Sequence, residues 1–188
     1  SFNGFAGPKT NSDVWVARYD VRDPGDPDYA AYPLDFLGIT QVDRGPAAAN
    51  FLGRFQDKEM IEVDRSPTSP HEGNLYECWT KFPGLGQSRI YFARSTDEGG
   101  SFGNKIQIGQ RFSGQACDIA VESHGDIYVL WRDFELSSSK KNFGISFTRS
   151  TDGGRTFSQP RKIADLDQYL PFDTVRDSGD GPDPCPAR

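Results

Sequence analysis

The chain has 188 residues, one domain's worth, with 27 acidic against 21 basic residues and a net charge of −6. That balance argues against a nucleic-acid partner, because neutralising phosphates needs a basic surface, and no run of 18 apolar residues is present to span a membrane. With 20 Gly, 13 Pro, 14 Phe and 7 Tyr the composition is rich in turn-formers and aromatics, as all-β proteins are.

The opening "SFNGFAGPKTNS" has neither the basic start nor the apolar stretch of a secretory signal peptide. The first strand signals are "SDVWVARYD" (12–20) and "PLDFLGITQVD" (33–43), separated by the acidic insertion "VRDPGDPDYAAY". Next comes "FQDKEMIEVD" (55–64), then "GNLYECWTKF" (73–82), "SRIYFARS" (88–95) and a hydroxyl-rich octet running from Ser95 to Phe102. The order then repeats. "IAVE" (119–122) matches "IEVD" (61–64) at a shift of 58, and "GDIYVLWRDF" (125–134) matches "GNLYECWTKF" at 52. "GISFTRS" (144–150) and the octet at 150–157 match their predecessors at 55. Shifts that differ only where loops differ in length define a unit of a little over 50 residues.

Each unit reads as four short antiparallel strands joined by hairpins. In the second unit they are "CDIAVES", "DIYVLWRD", "GISFTRS" and "PRKIADL". Apolar residues on both faces of "DIYVLWRD" predict a strand buried between sheets. Four-stranded repeats of this length predict β-propeller blades, with a β-sandwich as the alternative. The predicted core is Ile61, Val63, Tyr76, Trp79, Ile90, Phe92, Phe102, Ile119, Val121, Tyr128, Trp131, Ile145, Phe147 and Phe157.

The octets are Ser95, Asp97, Gly99, Ser101, Phe102 and Ser150, Asp152, Gly154, Thr156, Phe157 in the pattern S-x-D-x-G-x-[ST]-F. They fall between third and fourth strands. Asp97 and Asp152 are expected to accept bonds from backbone N–H groups two residues on, and Gly99 and Gly154 to take positive φ. Phe102 and Phe157 then re-enter the core. The competing reading of the octet is a metal or phosphate site.

With its flanking strands, the octet resembles the Asp-box (BNR repeat) of the sialidase-like propeller superfamily over about residues 57–165. The resemblance implies a six-bladed ring with the boxes on its periphery, and leaves activity open. It divides the chain into the second half of a blade (12–45), two blades (57–109 and 115–167) and the start of another (182–188). Closing such a ring takes roughly 300 residues, so the expectation is a part of a longer polypeptide or a chain completed by a second copy.

In that family an arginine cluster grips the sugar carboxylate, a Tyr–Glu pair is nucleophilic and an Asp is the acid/base. The mouth is lined by first-strand entries and second-strand exits, which map here to Asp57, Lys58, Glu59 and Asp118, and to Lys81, Arg132, Asp133 and Glu135. Arg132 and Asp133 are the leading ligand-binding candidates, against a scaffold role in ion pairs. The Arg-Ile-Pro element of true sialidases is absent, and the Tyr–Glu pair is not assignable. The resemblance therefore implies an extracytoplasmic propeller that binds glycan or protein, or an exo-sialidase-type hydrolase with catalytic residues partly outside this segment.

Of three cysteines, Cys78 reads as a buried small hydrophobe, while Cys117 and Cys185 hold matching positions on successive first strands and are the disulfide candidates. A disulfide would place the protein in an oxidising compartment. No cofactor is called for: there is no H-x-x-x-H, C-x-x-C, G-x-S-x-G or phosphate loop. His71 and His124 read as loop residues. Two acidic loops (22–29 and 176–184) suit Ca²⁺, with Asp177, Asp180 and Asp183 as ligands, or are simply solvated turns.

Overall fold

The computed structural model describes residues 12–45, 54–84, 87–109, 114–134 and 143–166. The described residues form ten strands and no helix. A two-stranded sheet pairs β1 (Val14–Val21) with β2 (Leu34–Asp43). A second sheet holds β3 (Phe55–Val63), β4 (Leu75–Gly84), β5 (Gln87–Ser95) and β6 (Ile106–Gln107) in sequence order. A third holds β7 (Gln115–Val121), β8 (Ile127–Phe134), β9 (Phe143–Ser150) and β10 (Arg161–Asp165), also in order. All pairings are antiparallel and link sequence neighbours, as hairpin connections dictate.

The sheets stack because alternate residues point to opposite faces. Tyr76, Cys78, Ile90 and Phe92 of the second sheet bury against Cys117, Ile119, Ile127, Val129 and Trp131 of the third. The opposite face of the second sheet, through Trp79 and Ala93, buries against Val14, Val16 and Val42 of the first. Each sheet thus presents one face forward and the other back, so the stacking runs in one direction. Burying side chains as large as Trp79, Trp131, Tyr76 and Phe92 contributes about 1.5–3 kcal/mol apiece.

The predicted core is present at its centre and thins at its margins. Ile61 stands 48% exposed on the face that Trp79 shares, a departure from its expected burial. Val63, Phe102, Val121, Tyr128, Ile145, Phe147 and Phe157 are half-buried. On β8 only the Ile127–Val129–Trp131 face is fully enclosed, while Tyr128 and Leu130 on the other keep partial exposure.

The cysteine expectation needs correction. Cys117 is bonded to Cys78, with Cα atoms 6.3 Å apart, and so is not available to Cys185, which lies outside the described residues. Cys78 is buried as expected, but as half of a disulfide rather than as a free thiol. The bond crosses the interface between the second and third sheets. The physical reason is face direction: Cys78 and Cys117 point into one shared core from facing sheets.

Both octets form the turns after the third strand of their sheet. Ser101 N and Oγ donate to Asp97 at 2.9 and 2.7 Å, and Gly99 N donates to Ser95 Oγ at 2.9 Å. In the second copy Arg155 N, Thr156 N and Thr156 Oγ1 donate to Asp152 at 3.0, 2.9 and 2.6 Å. The aspartate therefore closes onto donors three and four residues on, not two as expected; the N–H two residues on from the aspartate, that of Gly99 and of Gly154, goes to the serine oxygen instead. Gly99 and Gly154 both sit at φ 79°, where a Cβ would be strained.

Candidate functional site

The candidate site is built on two bulges. β3 and β4 slip register between Asp57 and Met60, and β7 and β8 slip between Gln115 and Asp118. The two slips fall at equivalent places in the repeat, 58 residues apart. Each contains a non-glycine residue in the left-handed region, Lys58 at φ 57° and Ala116 at φ 55°. A side chain there costs of order 1–2 kcal/mol that glycine would avoid. Bulges re-aim side chains at sheet rims, and here β3 and β7 lie beside one another.

The bulged rim gathers several of the predicted residues. Lys58 is exposed, and its Nζ lies 3.5 Å from Gln115 Oε1 and 3.9 Å from Asp57 Oδ2. Gln115 stands in register with Arg132 on β8. Arg132 is exposed. Lys58, Gln115 and Arg132 thus form a polar row that crosses from the second sheet to the third, with a cation at each end. Glu59 and Asp118 are exposed beside it, and Asp118 caps the N–H of Ile119 at 2.9 Å. Ala116 N donates to the buried Thr80 Oγ1 at 3.1 Å, which locks the second bulge against the neighbouring sheet.

Two predicted mouth residues belong to the scaffold instead. Asp133 accepts the Trp131 indole N–H at 2.8 Å and a hydrogen bond from Ser146 Oγ, so its carboxylate is turned inward. Lys81, the residue equivalent to Asp133 one repeat earlier, is buried and bonded to Asp43 Oδ2 at 2.5 Å. Asp43 also receives Lys105 Nζ at 2.5 Å, Gln56 Nε2 at 2.8 Å and Arg44 N at 2.8 Å. Burial works against this carboxylate's charge, but the lysine contacts prevail and hold its pKa below the usual range. Glu135 lies outside the described residues. The sequence carried one clue to this cluster, the exchange of Asp133 for Lys81 between aligned strands.

Register places the octets at the far end of the sheets. Ile127 pairs with Ser150 at the start of the second octet, whereas Arg132 pairs with Ile145 five residues along the strand. That separation is about 17 Å at 3.3–3.4 Å per residue. At the octet end a groove of about 350 Å³ runs between the sheets, lined by Glu62, Asp64, Arg65, Ser66, Glu122 and Ser123 among others. Beside it Tyr128 Oη donates to Glu122 Oε2 at 3.3 Å, a Tyr–Glu pair that sequence reasoning did not find. It sits on the rim opposite the bulges.

Glu77 was also missed. It is 3% exposed on β4, its Oε2 has no hydrogen-bond partner, and burial together with the charge of Glu59 raises its pKa to about 7. Its counterpart in the third sheet is Val129.

His71 and His124 stand in turns as expected, with the His71 ring against Gly153. In the acidic stretch 22–29, Asp23 and Asp26 accept the N–H groups of Gly25 and Asp28 at 2.7 and 2.8 Å, and Arg22 lies 3.7 Å from Asp26. Among the described residues no three His, Cys, Asp or Glu side chains converge as a metal site. Asp177, Asp180 and Asp183 lie outside the described residues. No family model matches the chain, and no curated protein matches it.

Proposed function

We propose that this is a non-catalytic, sialidase-like Asp-box propeller that binds an acidic glycan at the bulged rim. The observation that carries the reading is the repetition of a left-handed, non-glycine bulge at equivalent places in adjacent first strands. Strain repeated at one rim marks a place where side-chain direction matters more than backbone ease. The row it sets up suits such a ligand: Lys58 and Arg132 supply charge for a carboxylate or sulfate, and Gln115 supplies an amide for hydroxyls. Two stacked four-stranded antiparallel sheets with boxes at matching turns support the propeller reading, and the Cys78–Cys117 bond supports an oxidising, extracytoplasmic setting.

The Tyr128–Glu122 pair favours a second reading, a glycoside hydrolase, in which Glu122 would draw the phenolic proton. Its place beside the boxes weighs against this, because it is remote from Lys58 and Arg132.

Titrating a sialylated oligosaccharide and its desialylated counterpart into the protein tests the binding reading. Arg132→Ala and Lys58→Ala should each weaken the sialylated ligand about 5- to 30-fold with little change in melting, since charge-assisted bonds are worth about 1–2 kcal/mol when partly exposed. Trp131→Ala should instead lower the melting temperature sharply. Equal affinity for both sugars, or normal binding by Arg132→Ala, would refute it. Turnover of a fluorogenic sialoside that is lost in Tyr128→Phe would select the hydrolase.

A further inference from the structure

The first sheet carries an apolar face that packs on nothing among the described residues. Trp15, Tyr19 and Val21 of β1 lie beside Leu34, Phe36 and Ile39 of β2, with Tyr19 opposite Phe36 and Val21 opposite Leu34. Trp15, Tyr19, Phe36 and Ile39 are 50–60% exposed, and the Tyr19 and Phe36 rings meet 5.5 Å apart. An exposed patch of this kind marks an interaction surface.

The stacking within the chain shows what such a face accepts. Trp15 and Ala17 correspond to Tyr91 and Ala93 of β5, which lie in the interface that receives the first sheet. Faces of this kind therefore take the opposite face of a preceding sheet. Among the described residues one such opposite face is left over. On the third sheet it comprises Tyr128, Leu130, Ile145 and Phe147, the equivalents of Tyr76, Cys78, Ile90 and Phe92, which are wholly buried where a following sheet covers them. In the third sheet the same positions are only half-buried.

Charge follows the same rule. An arginine at the equivalent place in each third strand reaches the next sheet's hairpin turn. Arg18 lies against Gly99, and Arg94 Nη1 donates to Gly153 O at 3.1 Å. The third member, Arg149, has no following turn among the described residues and folds back onto Asp126 and over the Tyr128 ring. The turn it would meet on another first sheet is the loop bearing Asp23, Asp26 and Asp28, which replaces the octet there.

We infer that two copies of this chain associate head to tail, each laying the Trp15–Phe36 face of its first sheet on the Leu130–Phe147 face of the other's third sheet, with Arg149 directed at the partner's acidic loop. The pairing rests on the stacking within one chain and is independent of any ligand. Because two different faces meet, rotation by half a turn satisfies both at once and leaves neither exposed.

Sedimentation equilibrium on the full chain should give twice the 20.9 kDa of one chain. The double variant Phe36→Asp/Ile39→Lys should weaken association at least about 30-fold, the loss expected when central anchors are removed. Phe147→Asp should do the same, and Arg149→Glu, at an exposed position, guards against a folding defect in Phe147→Asp. Each should keep its melting transition as a monomer. Mixing the first-face variant with the Arg149→Glu variant should restore a one-to-one pair, because one good interface survives. A monomeric wild type, an open series of larger species, or a dimer untouched by Phe36→Asp/Ile39→Lys would overturn the inference.

Discussion

Asp152 accepts hydrogen bonds from Arg155 N, Thr156 N, Thr156 Oγ1 and Ser150 Oγ, and Asp97 has a matching set from Ser101 and Ser95. Burial opposes the charge of Asp152, but these donors outweigh it, and its pKa falls to about 2. The hydroxyls of Ser101 and Ser95 bring Asp97 to about 2 as well. A depressed carboxylate stabilises the fold above its unfolded pKa of 3.8 and ceases to do so as pH falls through about 2. Asp152→Ala should cost about 1–3 kcal/mol by leaving backbone donors unmet, read as a lower denaturation midpoint at neutral pH. The deficit should shrink as the wild type is acidified toward pH 2. An unchanged midpoint would show that the turn does not depend on the carboxylate. Glu77 behaves in the opposite sense. Its pKa rises from 4.5 to about 7, so the native state holds the extra proton and stability declines as pH rises from 4.5 through 7. Glu77→Gln should abolish this decline, which amounts to about 3 kcal/mol, and should melt higher than wild type at pH 8. Parallel pH–stability curves for the two proteins would contradict the buried, unpaired state of the side chain.

At the scale of elements, sheets are joined by a few specific links as well as by apolar contact. Thr40 Oγ1 donates to Gly99 O at 2.7 Å and Ser66 Oγ to Ser123 O at 2.6 Å, so hairpin turns of one sheet hold the next. The strongest link is Cys78–Cys117, which joins β4 to β7 across 39 residues of chain. Closing a loop of that length in the unfolded state is worth about 4 kcal/mol by chain entropy. Cys78→Ala/Cys117→Ala should therefore lower stability by about 2–4 kcal/mol, and its denaturant midpoint should ignore reductant while that of the wild type shifts. Thiol titration of the unreduced, unfolded wild type should find one thiol, Cys185. Three thiols would show that the bond does not form.

For the molecule as a whole, one-directional stacking has a consequence. Sheets that each offer a front and a back leave one of each uncovered at the ends of any open stack. Among the described residues the uncovered ends are the Trp15–Phe36 face and the Leu130–Phe147 face, and the bulged rim and the octets lie along the two remaining edges. Pairing of copies therefore covers the ends and brings Arg132, which stands opposite Ile145 on the outer face of the third sheet, into the contact. It covers the surroundings of Tyr128 on the same face, so the pairing bears on the acidic-glycan and the hydrolase readings alike.

The sequence by itself determined the strands, their hairpin order, the repeat of a little over 50 residues and the place of both octet turns. These are local features: alternation, glycine at positive φ and Ser–Asp–Thr turn bonds each act within a few residues. Tertiary structure alone decided the partners. Cys117 meets Cys78 rather than Cys185 because facing sheets aim both into one core. Lys81 is captured by Asp43, 38 residues away, and Asp133 by Trp131 and Ser146, so two residues read as mouth-lining became scaffold. Ile61 alternates as a core residue does, yet stands exposed because nothing among the described residues packs over that part of its face. The bulges escaped notice for a related reason: Lys58 and Ala116 break no local pattern, and a register slip exists only between two strands.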